Sequence, residues 1–377
     1  MSGRKKPKEQ KLNVFFRVDS SHQMGTGHLM RCLTLAEELR EKGAEAIFIC
    51  RDHPGNASQL VRDRRFCCHL LPAERGPMSD EDASGYDSWV GANWEQDAAD
   101  VIEIIKGCDE GGSKKLLVVD HYGLDSRWEK KLRSHVNYIM VIDDLANRPH
   151  DCDFLLDQNL YENMNERYRG LVSEHCRLFL GPEYALIRKE FREAKKKMKP
   201  RTGEVKRILI FMGGTDPTNE TTKALKAVMM LGRLEIAVDV VVGAQNPHRH
   251  QIEEMCRQMP NTRFHLQTDR MAELMAEADL AIGGGGTTTW ERCFMELPSL
   301  VVSVAKNQKA AAEYLRRTGA IEFLGVNEGV DPNVIKNVLE LYATAPQLVT
   351  RMAKQCMTVG VGRDHVAVMI LGKICFA

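Results

Sequence analysis

The fold is best indicated by one stretch of the sequence, Leu280-Ala281-Ile282-Gly283-Gly284-Gly285-Gly286-Thr287-Thr288-Thr289-Trp290-Glu291. Its first three residues are an apolar run of the kind that predicts a buried strand. The residues from Thr287 to Met295 follow the glycines with the pattern of a helix. A strand joined to a helix by a glycine-rich turn is the building unit of parallel α/β folds.

The same alternation of strand and helix occurs in both halves of the chain. The predicted elements of the first half are strand 12–18, helix 29–42, strand 46–50, helix 97–106, strand 116–119, helix 126–134 and strand 139–142. Those of the second half are strand 208–212, helix 221–231, strand 236–242, helix 271–278, strand 280–282, helix 287–295 and strand 300–304. Strands that alternate with helices form parallel sheets with right-handed crossovers. We therefore predict an α/β protein of two doubly wound, Rossmann-like domains that face each other across a cleft.

Composition shifts divide the chain into five predicted parts. Residues 1–11 are a basic disordered tail, 12–190 an N-terminal Rossmann-like domain, 191–205 a charged linker, 206–355 a C-terminal domain for a nucleotide, and 356–377 a terminal segment that packs back on the N-terminal domain. A solvated tail is the simplest interpretation of the first part, and attachment to an anionic surface is the alternative.

Length, charge and cysteine content exclude several classes of protein. The chain has 377 residues and equal numbers of basic and acidic side chains, 52 of each. It is long enough to bury its core without disulfides, and a net charge near zero argues against a broad grip on nucleic acid. No apolar run reaches the roughly 18–20 residues of a membrane span. Eleven cysteines without a C-x-x-C motif indicate free thiols and a reducing cytoplasm.

Two glycine-rich loops follow predicted strands, where parallel α/β folds bind ligands. In the loop Gly283–Thr289, free backbone N–H groups and threonine hydroxyls form a pattern typical of a phosphate site. Glu291 lies about one turn into the following helix, where its carboxylate could accept hydrogen bonds from sugar hydroxyls. The alternative is a tight turn in which Glu291 only complements the helix dipole. Gly213 and Gly214 form the second loop, which could face the same ligand.

His28 is the candidate general base. It follows Gly25 and Gly27, which let the backbone approach a ligand, and it lies at the start of a predicted helix. The field of the helix favours the uncharged imidazole, which can accept a proton. The alternative is a histidine that caps the helix or packs locally.

Acidic residues end two further strands, at Asp120 and at Asp143-Asp144. They could act as acids, bind hydroxyls, hold a metal ion or cap helices. Because no histidine pairs with them at ligand spacing, hydroxyl binding or a structural role is favoured over a metal site. We expect no metal ion and no cofactor.

With these segments in place, the chain resembles a known family, the UDP-2,4-diacetamido-2,4,6-trideoxy-β-L-altropyranose hydrolases of bacterial pseudaminic acid biosynthesis, which are similar to GT-B glycosyltransferases. The matching segments are Arg17–Ser21, Gly25–His28 with Arg31-Cys32, Asp120–Asp125 with Trp128-Glu129, Ile142–His150, Asp157–Asn159, Gly181–Arg188, Gly213–Asp216, Gly283–Cys293, Pro298 and Asn307-Gln308. The segment Thr358–His365 departs from the family's usual pattern.

The resemblance implies hydrolysis of a UDP-linked trideoxy sugar by attack of water at the anomeric carbon, with inversion and without a metal. His28 matches the family's general base, and Glu291 matches the residue that grips the uridine ribose. The expected sugar-binding residues are Arg17, Asp19, Gly27, Tyr122 and Asn307. The expected UDP-binding residues are Gly213, Gly214, Gly285, Thr287, Thr288, Glu291 and Gln308. The expected partners are a UDP-sugar and water, with no nucleic acid and no integral membrane contact, for a chain that is a monomer.

Two other functions fit the same residues. One is a glycosyltransferase of the same fold, which would move the sugar to an acceptor and release UDP only when the acceptor is present. The other is a protein that binds a nucleotide sugar without turnover.

Overall fold

The N-terminal domain is built around a sheet of seven parallel strands. The structure is a computed structural model that describes residues 11–73, 85–108 and 112–376, so nearly all of the predicted basic tail lies outside the described residues. The strands are β1 (Leu12–Val18), β2 (Glu45–Arg51), β3 (Cys67–Leu71), β4 (Lys114–Asp120), β5 (Tyr138–Ile142), β6 (Phe154–Asp157) and β7 (Arg177–Leu180). Their order across the sheet is β3-β2-β1-β4-β5-β6-β7.

Helices cover both faces of this sheet, which explains why every residue of β1 is buried. They are α1 (Gly27–Glu41), α2 (Ser58–Asp63), α3 (Trp94–Gly107) and α4 (Ser126–Leu132). One core contains Leu29, Leu33 and Leu35 of α1 packed with Val14 and Phe16 of β1. On the other face, the core contains side chains of α3 and α4, including the fully buried Trp128.

The C-terminal domain repeats this architecture around six parallel strands. They are β8 (Arg207–Phe211), β9 (Ala237–Val242), β10 (Thr262–Leu266), β11 (Leu280–Gly284), β12 (Ser299–Ser303) and β13 (Glu322–Val326), in the order β10-β9-β8-β11-β12-β13. The helices of this half of the chain are α5 (Lys189–Lys197), α6 (Glu220–Leu231), α7 (Arg249–Gln258), α8 (Met271–Glu277), α9 (Thr288–Phe294), α10 (Gln308–Arg317), α11 (Pro332–Thr344), α12 (Pro346–Thr358) and α13 (Val366–Phe376). The described part of the chain contains no helix that is long and apolar enough to cross a bilayer.

The chain crosses between the domains twice. About half of the stretch expected to be a linker, residues 191–197, lies in α5, whose Phe191 is fully buried in a core of the C-terminal domain. The helix is difficult to recognise in the sequence, because only one of its faces is apolar and the other residues are mostly charged. At the end of the chain, α12 packs against α9 and α11, whereas α13 packs against α1. Val366 and Ile370 of α13 lie in the core of the N-terminal domain.

Each sheet has a point at which the strand order reverses direction. It lies between β1 and β4 in the first sheet and between β8 and β11 in the second. Loops that leave the carboxyl ends of strands at such a point form the ligand crevice of doubly wound folds. His28 follows β1, Asp120 ends β4, Gly213 follows β8, and Gly285 and Gly286 follow β11. The two crevices therefore carry the residues of the candidate site.

Candidate active site in the cleft between the domains

A cavity of about 580 Å³ lies between the domains, and loops of both line it. The loops approach closely. A Cβ atom on Gly214 would lie 2.8 Å from the hydroxyl oxygen of Thr26, and a Cβ atom on Gly27 would lie 3.6 Å from that of Thr287. Glycine at position 214 is therefore needed for the observed approach of the two domains.

His28 lies in the first turn of α1 and lines the cavity. Its Nδ1 is 2.6 Å from the Oδ1 atom of Asp120. Because a carboxylate can only accept, Nδ1 carries the proton, and the lone pair of the neutral ring is on Nε2. The ring also meets Tyr122 edge-on, with centroids 4.6 Å apart. These contacts fix the orientation of the imidazole, as a general base requires.

Asp120 is buried and held as a carboxylate by Arg31. The Arg31 guanidinium donates two hydrogen bonds of 2.6 Å to the two oxygens of Asp120. Burial alone would raise the pKa of the Asp120 carboxyl, but Arg31 and His28 hold it well below its usual value. Arg31 also donates a 3.1 Å bond to Asp144, and thus ties the carboxylates at the ends of two neighbouring strands together.

Tyr122 and Asn307, both predicted to bind sugar, meet across the cavity that they line. The Tyr122 hydroxyl donates to Asp144 at 2.5 Å and accepts from the Asn307 amide at 3.2 Å. Burial raises the pKa of Tyr122 far above its usual value, with Asp144 adding to the effect, so the phenol keeps its proton. Gly27 lines the same cavity.

Arg17 and Asp19 are placed elsewhere, which corrects their expected role in sugar binding. Both are buried inside the N-terminal domain, 0% and 1% exposed, and neither lines the cavity. Arg17 Nη1 lies 2.7 Å from Asp19 Oδ1, and its Nη2 lies 2.7 Å from Asp97. Asp19 also accepts a 2.7 Å bond from the backbone N–H of Arg51. Arg17 and Asp19 therefore pair inside the domain, and Asp97 of α3 forms ion pairs with Arg17 of β1 and with Arg51 of β2.

The residues expected to bind UDP come together on the C-terminal side of the cavity. Those that line it are Gly213, Gly214, Gly285, Thr287, Thr288, Glu291 and Gln308. Gly213 has a φ of 116°, which only glycine adopts readily. The side-chain oxygen of Gln308 accepts from the backbone N–H of Val304, so this residue also shapes its own loop. Asp216 caps α6 through the N–H groups of Glu220 and Thr221, each at 2.9 Å.

Glu291 lines the cavity, and one of its carboxylate oxygens has no partner in the described part of the chain. Its Oε1 accepts a 2.9 Å hydrogen bond from Arg188. Its Oε2 is buried and has no hydrogen-bond partner among the described residues. A buried acceptor without a partner is costly, and ribose hydroxyls would satisfy it. Arg188 comes from the segment that joins the domains, and it also lines the cavity.

Four supporting residues were not assigned a site role from the sequence. Asp120 and Asp144 were recognised only as acidic strand ends, and Arg31 and Arg188 only as parts of matching segments. A site role for Asp120 could have been predicted from the pairing of β1 with β4. Val18 and Asp120 are partners in the sheet register, so Asp120 lies beside the loop that leads to His28. Within the described ranges, no group of three or more His, Cys, Asp or Glu side chains is arranged to hold a metal ion.

Comparisons with known proteins agree with this architecture. Residues 207–364 match the model of the glycosyltransferase family 28 C-terminal domain. The chain is 28% identical over 310 residues to the UDP-2,4-diacetamido-2,4,6-trideoxy-beta-L-altropyranose hydrolase of Campylobacter jejuni, a match that covers 82% of this chain and 97% of that protein. It is 26% identical over 340 residues to the spore coat polysaccharide biosynthesis protein SpsG of Bacillus subtilis, covering 89% of this chain and 90% of the relative. The resemblance to the hydrolases is thereby confirmed.

A solved structure extends the comparison to the whole fold. The crystal structure of LpCGTa in complex with UDP matches with a TM-score of 0.66 at 12% identity, over 97% of this chain and 98% of that one. Together with the family 28 domain and the two parallel sheets, this likeness confirms the prediction of a two-domain, GT-B-like fold.

Proposed function

We propose that this protein hydrolyses a UDP-linked 2,4-diacetamido-2,4,6-trideoxy sugar to UDP and the free sugar, as a step of pseudaminic acid biosynthesis. One observation carries the proposal. His28, which Asp120 holds in place, lies on one domain and Glu291 on the other; both line the same cavity, and Glu291 has one carboxylate oxygen without a partner among the described residues. The 28% identity to a protein named as a hydrolase of such a sugar supports the choice of substrate.

In this proposal the C-terminal domain holds UDP. The free oxygen of Glu291 accepts hydrogen bonds from the ribose, while Arg188 keeps the carboxylate in place. The diphosphate lies at the loops that contain Gly213 and Gly285. Backbone N–H groups of these loops, other than that of Gly285, which donates to the carbonyl oxygen of Val302, meet the charge that develops on the leaving group. The binding of UDP by a structural neighbour supports UDP as the ligand.

The N-terminal domain then supplies the base. Nε2 of His28 accepts a proton from water as the water oxygen forms a bond to the anomeric carbon. The bond between that carbon and the UDP oxygen breaks, and UDP leaves with the electron pair. Attack from the face opposite to UDP inverts the anomeric centre. Asp120 stabilises the imidazolium that results, since its carboxylate accepts the Nδ1 proton at 2.6 Å.

We further propose that the enzyme acts without a metal ion, as a monomer, in the cytoplasm. The ten cysteines from Cys32 to Cys356 are free thiols, which fits a reducing compartment.

The test is to incubate the purified protein with the UDP-sugar, without acceptor or metal, and to follow free UDP. In ¹⁸O-water the label should enter the sugar and not UDP, because the sugar C–O bond breaks. Label in UDP would mean attack on phosphorus and would overturn the role of His28. Tight binding of the UDP-sugar without any turnover would instead favour a binding protein.

A glycosyltransferase of the same fold is the second candidate, since the matched domain model is that of a glycosyltransferase family. It predicts that UDP appears only when an acceptor is added. Release of UDP in the absence of acceptor, at an unchanged rate after a panel of sugar and lipid acceptors is added, would exclude it.

A further inference from the structure

Arg292 lies directly behind the loop of four glycines. It is 2% exposed. Its Nη2 donates to the carbonyl oxygen of Gly284 at 2.7 Å and to the hydroxyl of Thr289 at 3.1 Å, and Nη1 donates to that of Thr288 at 3.2 Å. A Cβ atom on Gly283 would lie 2.6 Å from Nη1. Glycine at this position therefore makes room for the guanidinium against the back of the loop.

The charge of Arg292 has no carboxylate partner. None of the described acidic side chains forms an ion pair with it, and its buried Nε has no hydrogen-bond partner. The neighbouring carboxylate, Glu291, is engaged by Arg188 at 2.9 Å. Burial lowers the pKa of Arg292 to about 10, which still leaves the group charged at neutral pH. An unpaired buried cation is costly, so its presence calls for an anion.

Arg201 shows how the same domain treats a half-buried arginine that needs no anion. It too forms no ion pair with the described acidic residues, but it donates to the carbonyl oxygens of Met275, Met295 and Glu296 at 2.8–3.0 Å. These carbonyls lie at the carboxyl ends of α8 and α9, which carry partial negative charge. Arg292 instead reaches the first turn of α9, where the helix dipole adds to its positive charge.

We propose that Arg292 is the buried positive charge that the protein holds for the diphosphate of its ligand. It is a positioning residue: the cavity is lined by Gly285, Gly286 and Thr288 but not by Arg292, which acts through the loop without touching the ligand. The proposal rests on the proposed function, because it takes a nucleoside diphosphate as the ligand. It adds that a fixed cation of this chain neutralises the phosphates.

The experiment compares UDP with uridine by calorimetry in the unmodified protein and in Arg292→Met. Uridine carries the ribose and the base but no phosphate. We expect Arg292→Met to weaken UDP by roughly 10- to 100-fold and uridine by less than about threefold, because only the phosphates sense the charge. Arg292→Lys keeps the charge and should retain most of the preference for UDP over uridine. Arg201→Met is the matched control and should leave that preference unchanged.

Two outcomes would overturn the proposal: equal weakening of UDP and uridine by Arg292→Met, or a loss of the preference for UDP in Arg292→Lys as large as that in Arg292→Met. If Arg292→Met does not fold, the proposal can still be tested with the unmodified protein and Arg292→Lys. Inorganic pyrophosphate at matched ionic strength should raise the melting temperature of both, and no rise in either would refute the inference. An unmodified protein that binds UDP but does not release it from the UDP-sugar would count against the proposed function and not against the role of Arg292.

Discussion

Asn307 and Tyr122 join the two domains across the cavity: the Asn307 amide donates a 3.2 Å hydrogen bond to the Tyr122 hydroxyl. The Tyr122 ring lies edge-on to His28, so closure of the cleft and the position of the proposed base are linked through one side chain.

Loss of this bond should make the closed cleft less stable. In Asn307→Ala we expect kcat/KM to fall about fivefold, the equivalent of one neutral hydrogen bond of about 1 kcal/mol. Steady-state kinetics of UDP release measure this change in kcat/KM. Asn333→Ala, at an exposed position of the same domain, is the control and should behave as the unmodified protein. Unchanged kinetics in Asn307→Ala would mean that the bond does not contribute to turnover.

His28→Asn keeps a similar size but cannot take the proton from water. We expect kcat to fall by roughly 10²–10⁴ with a modest change in KM, as for an interaction made in the transition state. Single-turnover measurements of UDP release check this. A drop of less than fivefold would remove His28 from the role of base.

Asp120→Asn should also lower kcat, because the amide no longer fixes the Nδ1 proton of His28. If the two residues act as one unit, the double variant with His28→Asn should be no slower than His28→Asn alone. Asp100→Asn, at a half-buried ion pair away from the cavity, is the matched control. Multiplicative losses in the double variant would show that Asp120 acts independently of His28.

Glu291→Ala removes a carboxylate that lines the cavity and has one oxygen without a partner among the described residues. UDP binding should weaken by about 1–3 kcal/mol, since hydroxyl donors lose a charged partner. Calorimetry with UDP measures the change. Glu190→Gln is the control, because Glu190 also pairs with Arg188, at 3.0 Å, but does not line the cavity. Equal UDP affinities in the unmodified protein and Glu291→Ala would argue against a ribose contact.

Removal of divalent metal should leave turnover intact, because protein donors neutralise the diphosphate in the proposed mechanism. Activity should survive dialysis against excess EDTA. Loss of activity that Mg²⁺ or Mn²⁺ restores would contradict the mechanism.

Asp157 should make stability fall as the pH rises through neutrality. Burial, with Asp144 adding to it, raises the pKa of Asp157 to about 7. The unfolded chain releases this proton near pH 4, so the folded state holds an extra proton between pH 4 and 7. This contribution to stability is full below pH 4 and is lost as the pH rises through 7. Asp157→Asn mimics the protonated form.

We therefore expect the free energy of unfolding of Asp157→Asn, relative to the unmodified protein, to increase by about 1 kcal/mol between pH 6 and 8. Urea unfolding at the two pH values measures it. Asp151→Asn, which loses a half-exposed ion pair to Arg133, should show no such pH-dependent difference.

The sequence predicted the strands nearest the middle of each sheet well. The predicted strands correspond to β1, β2, β4 and β5 and to β8, β9, β11 and β12 within a few residues. The strands that were missed include the sheet-edge strands β3 and β10, whose residues Cys67–Leu71 and Thr262–Leu266 are partly exposed and form no apolar run. An edge strand is less buried and needs fewer apolar side chains, so its hydrophobic pattern in the sequence is weak.

Some residues of the candidate site could be predicted from the sequence and others could not. His28 and the glycine loops could be found because their function depends on residues next to them in the chain. The pairing of Arg188 with Glu291 spans 103 residues, and that of His28 with Asp120 spans 92, so neither pattern is local. Arg17 and Asp19 were misassigned because sequence alone does not tell whether a charged pair faces the cleft or the interior.

The two passages of the chain between the domains are tied to each other. The backbone N–H of Gly362 donates to the carbonyl of Pro182 at 2.8 Å, and that of Asp364 donates to the carbonyl of Glu183 at 2.9 Å. A pair of joined ribbons bends easily about one axis and resists twisting about the others. The domains should therefore rotate about a single hinge axis. After each opening that admits a substrate, the cleft should close with Thr26 in the same position beside Gly214.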